Sequence, residues 1–354
     1  MPDLNAVAGD AARPLDADWL TGRLRARGMI EAGSVVRVAA MSGGARGGTS
    51  EAFALEIGYS ADAAGECPRR LFCKHTRPDR PQDAREAVFY RELAPDTPGQ
   101  VAPVCVDAAY DEASRRVFLL LEDLSLSHRA ATPDSSAPGH SLEEAGQAVD
   151  VLARLHRRWW QDRGLVERFP FLRPLSFLEL DAARCRQAAP AFREAFFSRL
   201  DGEASALLAR ALEDGHARVA ERVRGGRGVT LLHGDPHPAN VLLPRAPGRD
   251  GARLVDWNAC TTGLAAVDIA YALLWLGDDG AVPAAAAPLI ERYCAALGHA
   301  AAYAAAECAV DLGLAVELQL LRPLRMYANG APPYWCGEVL RRALAMVRAW
   351  RQGA

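Results

Sequence analysis

The sequence predicts a chain of mixed α and β structure in which strands come first and helices follow. Three observations carry this. Between residues 35 and 121, short runs rich in Val, Phe and Leu alternate with turn residues. From Leu142 onward, apolar residues recur at helical spacing, as in Ala148, Val151, Leu152, Leu155 and Trp159. Between helical stretches lies a polar loop, His233-Gly234-Asp235-Pro236-His237-Pro238-Ala239-Asn240, with apolar pairs on both flanks. Flanks of that kind read as short buried strands that hold a loop rigidly.

Residues 1–14 carry no pattern and are expected to be frayed, and Asp16 is a candidate N-cap for a helix over 16–27. Strands are expected at 35–38, 52–57, 70–74, 101–107 and 116–121, with a helix over 83–93 between the third and fourth. Residues 125–141, rich in Ser, Ala, Pro and His, read as a mobile loop. Further helices are expected at 176–188, 190–200, 203–224 and from Asp268. Residues 281–350 read as three helices with breaks near Pro323 and at Pro332-Pro333.

The chemistry is concentrated in the polar loop and in Leu254-Val255-Asp256-Trp257, which follows a turn rich in Pro and Gly. A carboxylate, two imidazoles and a carboxamide fall within eight positions, and a second carboxylate comes after the turn. Phosphoryl transfer needs such a set: one carboxylate orients the attacking hydroxyl, while an amide oxygen and another carboxylate hold the metal on the nucleotide phosphates. Asp235 suits the first role, and Asn240 and Asp256 the second. A polar hairpin turn with an incidental Asp explains any one of these residues, but not the whole spacing.

The pattern resembles the catalytic and metal loops of the aminoglycoside phosphotransferase and choline kinase group, relatives of the protein kinases. The ecdysteroid-kinase-like branch is suggested by the stretch around Leu152-Ala153-Arg154-Leu155-His156. Protein kinases place Asn five positions after the catalytic Asp, and Asn240 lies five after Asp235. The resemblance implies an α+β, two-lobed protein-kinase-like fold, with a small antiparallel-sheet lobe over 1–121 and a larger, mainly helical lobe over 122–354. It is specific over roughly 35–275 and rests beyond that only on helical content. It also gives meaning to features that are weak alone. The stretch holding Gly44, Arg46, Gly47, Gly48, Thr49 and Ser50 reads as a phosphate-cradling glycine loop, although a flexible hairpin would look the same. Lys74, the only lysine in the chain, would contact the nucleotide phosphates and be held by Glu86, or by Glu92 in another helical register. The plainer alternative for Lys74 is a solvated surface residue. Residues 118–124 would form the hinge, with backbone groups near Glu122 and Leu124 meeting the adenine edge. His156 is expected to pack or hydrogen-bond beneath the catalytic loop, His233 to brace it, and Asp268 to buttress it. His237, two after Asp235, would contact the transferring phosphoryl group.

Composition narrows the partners. A net charge of −3 gives no reason to expect nucleic acid or an acidic membrane surface. No apolar stretch reads as a membrane span, and the N-terminus lacks the basic and apolar regions of a secretory signal. The eight cysteines are dispersed without a Cys-x-x-Cys pair, which argues against zinc or a disulfide framework and suits the cytoplasm. The expected activity is transfer of the γ-phosphoryl group of ATP or GTP, with Mg²⁺, to a hydroxyl of a metabolite or antibiotic. From residue 277 onward, seven acids balance seven arginines, and Tyr327, Tyr334 and Trp335 are available to line a flat pocket or simply to pack. This favours an acceptor of low positive charge, such as an uncharged antibiotic, a sugar or a polycyclic alcohol, over a polyamine. The alternatives are an inactive nucleotide-binding pseudokinase and a choline- or sugar-type metabolic kinase. A protein kinase is disfavoured because Asp256-Trp257-Asn258 stands where Asp-Phe-Gly would, and no Ala-Pro-Glu follows.

Overall fold

The computed structural model describes residues 15–42, 45–46, 49–98, 100–131, 141–196, 198, 200–246, 251–276, 282–298 and 301–353. The described residues fall into two compact units. The first comprises those up to Arg129 together with Val255–Ala259, and the second those of Ala130–Leu254 and Cys260–Ala354.

The first unit opens with α1 (Ala17–Ala26), capped by the Asp16 carboxylate, which accepts from the Trp19 amide at 2.8 Å. Strands β1 (Val35–Ala40), β3 (Ser50–Tyr59), β4 (Arg70–Thr76), β5 (Cys105–Asp111) and β6 (Arg116–Glu122) form one antiparallel sheet in the order β1-β3-β4-β6-β5. The two-residue β2 (Ala45–Arg46) pairs with β3. Leu55, Ile57, Leu71, Cys73, Phe118 and Leu120 turn one face of this sheet toward α1, making a core with Leu20 and Leu24.

Two expectations for this unit need correction. The fourth large strand begins at Cys105, not Val101, because Pro103 has no N–H to give to a ladder. The helix over 83–93 is an α-turn, α2 (Arg85–Val88), that continues as a π-turn over Phe89–Leu93. Of the segment 125–141, a short strand β7 (His128–Ala130) is seen, while 132–140, like 1–14, lie outside the described residues.

The second unit is mainly helical. Its first helix, α3 (Leu142–Arg158), starts with a reciprocal capping box between Ser141 and Glu144. Then come α4 (Arg163–Arg168), α5 (Pro174–Ala195), α6 (Gly202–Arg210) and α7 (His216–Arg224). The break expected between 188 and 190 is absent, since α5 runs through Pro190. Burial of Cys185, Ala189 and Phe192 on one face offsets the lost proline hydrogen bond. The helix expected over 203–224 is interrupted by a π-turn at Ala211–Gly215.

Four short strands then frame the polar loop. They are β8 (Val229–Leu232), β9 (Val241–Pro244), β10 (Arg253–Leu254) and β11 (Thr261–Leu264), with β8 paired to β11 and β9 to β10. Helix α8 (Ala266–Leu273) follows, and among the described residues the C-terminal region holds four helices instead of three: α9 (Val282–Leu297), α10 (Ala305–Leu318), α11 (Arg322–Ala328) and α12 (Pro333–Gly353). Pro323 occupies the first turn of α11, where its missing N–H costs nothing. A core running through Phe192, Leu208, Ile269, Tyr293, Leu312 and Val339 joins these helices. No helix among the described residues is long and apolar enough to cross a membrane.

Candidate active site

In the first unit, β4 carries Lys74 opposite Ala52 of β3 and Leu119 of β6, in the middle of the sheet. Its ammonium donates to both oxygens of Glu86 at 2.8 and 2.9 Å and to Oδ1 of Asp256 at 2.8 Å. Burial works against the Lys74 charge, but the two carboxylates outweigh it and raise its pKa above the usual lysine value. Glu86, not Glu92, is therefore the partner, and Glu92 pairs with neighbouring Arg91 on the surface.

Asp256 is held by its own surroundings. Trp257 stacks on Phe89, with ring centroids 3.5 Å apart and planes at 8°, and its backbone N–H donates to Glu86 Oε1 at 3.3 Å. Asp256 itself lies at φ +67°, in the left-handed region that non-glycine residues adopt uncommonly, aspartate more readily than most. The segment Val255–Ala259 that carries it belongs to the first unit.

In the second unit, the loop after β8 is fixed from below by one buried carboxylate. Asp268, in the first turn of α8, accepts the amides of His233 at 2.7 Å and Gly234 at 2.9 Å. His156 from α3 backs it, with Nε2 at 3.4 Å from Asp268 and Nδ1 at 2.9 Å from the Tyr293 hydroxyl. Gly234 sits at φ +83°, a turn that a side chain would strain. The Asp235 amide then donates to His233 Nδ1 at 3.3 Å, and the Asn240 amide nitrogen donates to the Asp235 carbonyl at 3.0 Å. His237 Nδ1 accepts the Ala239 amide at 3.2 Å, so a neutral ring carries its proton on Nε2, 3.7 Å from Asp235 Oδ2.

With this geometry in view, the comparisons with known proteins decide the family. A model of the phosphotransferase enzyme family, APH, matches residues 59–307. The chain belongs to this family. No curated protein matches it. Among solved structures, it is similar to a choline kinase from Cryptosporidium parvum Iowa II, at 12% identity over 95% of this chain and 96% of that one, with a TM-score of 0.52. A microcompartment-associated aminopropanol kinase is similar at 14% identity over 94% and 97%, with a TM-score of 0.51. An aminoglycoside phosphotransferase from Alicyclobacillus acidocaldarius matches at 13% identity over 88% and 90%, with a TM-score of 0.48. The first two likenesses establish the α+β, protein-kinase-like fold.

The other expected site residues of this phosphotransferase are placed as follows. Gly44, Gly47 and Gly48 lie outside the described residues, as does the side chain of Arg46, whose backbone pairs with Glu51. Thr49 is exposed and accepts the Arg77 amide at its carbonyl, and Ser50 opens β3. Within the hinge, the Glu122 amide donates to Val104, and the Leu124 carbonyl accepts the Ser127 and His128 amides. Those two groups are thus engaged within the chain.

Sequence reasoning missed the residue that touches Asp235. Arg322, at the start of α11, donates from Nη1 to Asp235 Oδ1 at 3.2 Å, from Nη2 to the Gly234 carbonyl at 3.1 Å and from Nε to Gln319 Oε1 at 3.2 Å. Its guanidinium lies over the Tyr271 ring, 3.3 Å from the centroid. Burial, with Arg325 nearby, pulls its pKa below the usual guanidinium value. The available signal was an arginine enclosed by Leu320, Leu321 and Leu324, an apolar setting that a solvated arginine does not need.

The aromatics proposed for the acceptor pocket divide. Trp335 stacks on Trp275 at 5.2 Å, and Trp275 in turn lies 6.4 Å from His237. Tyr327 packs against Phe192 and Phe196, and Tyr334 is 75% exposed. One further cluster, Asp181, Cys185 and His216, has the spacing of a metal site. Arg325 already supplies a cation to Asp181 at 2.9 Å, and burial pushes the Cys185 thiol up to about 12, so the cluster suits an ion-pair bolt.

Proposed function

We propose that this phosphotransferase is a magnesium-dependent kinase moving the γ-phosphoryl group of ATP or GTP to a small-molecule hydroxyl. The observation that carries the reading is the placement of the chain's only lysine, which is buried against Glu86 and Asp256 instead of solvated. Lys74 is assigned to the α and β phosphates. Asp235 orients the acceptor hydroxyl and takes its proton as the oxygen–phosphorus bond forms and the bond to the β–γ bridging oxygen breaks, the electron pair leaving with the diphosphate. His237 points its Nε2 edge toward the same carboxylate and is assigned to the transferring group. The segment around Glu122 and Leu124 is assigned to the base, and the stretch from Gly44 through Arg46, Gly47, Gly48 and Thr49 to Ser50 to the phosphates.

The donors fit Mg²⁺, which takes oxygen ligands. Asn240 spends its amide nitrogen on the Asp235 carbonyl, leaving its side-chain oxygen as the donor atom, and the Asp256 carboxylate is 38% exposed. Asn240 and Asp256 would hold the ion, whose charge offsets that of the phosphates. Positioning and charge supply most of the rate in such chemistry.

For the acceptor, the charge balance of the C-terminal region is the guide. From residue 277 onward seven acids are matched by seven arginines, which supports a hydroxyl compound of low positive charge over a polyamine. An antibiotic of this kind would make the enzyme a resistance factor. The eight free cysteines suit a cytoplasmic setting.

The test is ADP release from Mg·ATP and Mg·GTP across a panel of uncharged antibiotics, sugars and polycyclic alcohols, set beside kanamycin, neomycin, choline and aminopropanol, with resistance scored in a sensitive bacterium. Turnover of a neutral hydroxyl compound is expected. Efficient phosphorylation of kanamycin or neomycin, at kcat/KM of about 10⁴ M⁻¹s⁻¹ or more, would overturn the acceptor class. Absence of Mg-dependent turnover with every compound would favour the pseudokinase.

A further inference from the structure

We propose that Arg322 is a positioning residue for Asp235, fixing one carboxylate oxygen so that the other is presented to the acceptor hydroxyl. This rests on the kinase reading and adds to it a residue 87 positions away in the chain. The two oxygens of Asp235 are treated differently. Oδ1 accepts Arg322 Nη1, whereas Oδ2 has His237 Nε2 at 3.7 Å, beyond hydrogen-bonding distance. Oδ2 is therefore the atom placed to receive the hydroxyl proton.

Arg322 is itself immobilised. Each of its three nitrogens donates to a different acceptor, its flat face rests on Tyr271, and its side chain is only 8% exposed. A planar fork can span a backbone carbonyl and a carboxylate at once, which a lysine ammonium on a flexible stem does not reproduce. By gripping the Gly234 carbonyl and the Asp235 carboxylate together, Arg322 ties the side-chain torsion of the base to its own loop. Its charge also offsets that of Asp235 where an anionic phosphoryl group would approach. Gln319 holds the third nitrogen and so sets the tilt of the fork.

The experiment is a double-mutant cycle on Mg·ATP turnover, measured as ADP release with water and with the best acceptor of the panel. The variants are Arg322→Gln, Arg322→Lys, Gln319→Leu, Asp235→Asn and each of the first three combined with Asp235→Asn. Arg322→Gln is expected to lower kcat about 10- to 100-fold with the KM for Mg·ATP within about twofold of wild type, as for an interaction acting on the chemical step. Arg322→Lys is expected to recover part of that loss, and Gln319→Leu to cost a few-fold. In the Asp235→Asn background, all three changes are expected to alter the residual rate by less than about twofold, because coupled residues are non-additive. An equal fold-loss in both backgrounds, or a raised KM at constant kcat, would overturn the proposal while leaving the kinase reading intact. Should Arg322→Gln fail to fold, Arg322→Lys and Gln319→Leu decide between the same two outcomes. Wild-type protein with no Mg-dependent ATP turnover would overturn the kinase reading, and the proposal with it.

Discussion

Two carboxylates carry the proposed chemistry of this chain, and the protein holds them by opposite means. Asp256 in the first unit sits at φ +67°, clamped through the Trp257–Phe89 stack and sharing Oδ1 between Lys74 and Asn258. Asp235 in the second unit follows a glycine at φ +83° on a loop whose amides are tied to Asp268. At the first, packing and ion pairing hold a conformation that aspartate adopts only uncommonly. At the second, hydrogen bonds hold a turn that the sequence already permits. The difference fits their assigned tasks, since a metal ligand must keep one direction, whereas a base must have an oxygen open to a substrate.

The contrast is broken most severely at Asp235. Asp235→Asn is expected to preserve the loop, because the Arg322 and Asn240 contacts tolerate an amide, yet to lower kcat about 10²- to 10⁴-fold through loss of the proton acceptor. Retention of more than about a tenth of wild-type kcat would remove Asp235 from that role. At the other carboxylate the loss should fall on binding. Asp256→Ala is expected to weaken Mg·ATP affinity at least about tenfold while leaving metal-free ATP less affected, because Mg²⁺ is held by few protein ligands. Calorimetry giving equal Mg·ATP affinity for variant and wild type would contradict it. Lys74→Ala sharpens the comparison from the cation side. It strands Glu86, which is 1% exposed, and is expected to lower kcat/KM for ATP about tenfold or more, as for lost hydrogen bonds to charged groups. An unchanged kcat/KM would return Lys74 to a surface-like role.

These expectations depend on what was legible in the sequence. Lys74 and Glu86 are separated by twelve positions across one strand and one helix, so the family resemblance could pair them by the order of elements, while the helical register that excludes Glu92 came only with the structure. The Asp235-to-Asn240 spacing is equally local, and the hydrogen bond between them spans five positions. Arg322 was visible only as one of seven arginines balancing seven acids in the C-terminal region. A charge count cannot say that one arginine is buried against a loop 87 positions earlier. The strand start at Cys105 and the continuity of α5 through Pro190 were missed for a related reason: tertiary packing decides how each proline is used.

Arg325, three positions after Arg322, provides the mildest test, since it meets a carboxylate with no assigned chemistry. Burial alone would raise the pKa of Asp181, but Arg325 and His216 outweigh it and bring it from 3.8 to about 2. A carboxyl depressed in the folded state binds protons more readily when unfolded. Its contribution to stability is thus fully present above pH 3.8 and lost as pH falls through about 2. That shift corresponds to about 2 kcal/mol at neutral pH. Asp181→Asn is therefore expected to destabilise the protein by about that amount at pH 7 in urea unfolding, with the gap to wild type closing as pH approaches about 2. It should leave kcat for the chemical step within about twofold, unlike any change at Asp235. A gap that persists unchanged at low pH would mean that Asp181 stabilises by packing and not by charge. A large loss of kcat in the folded variant would place the whole α11 arginine pair, and not Arg322 alone, in the service of the base.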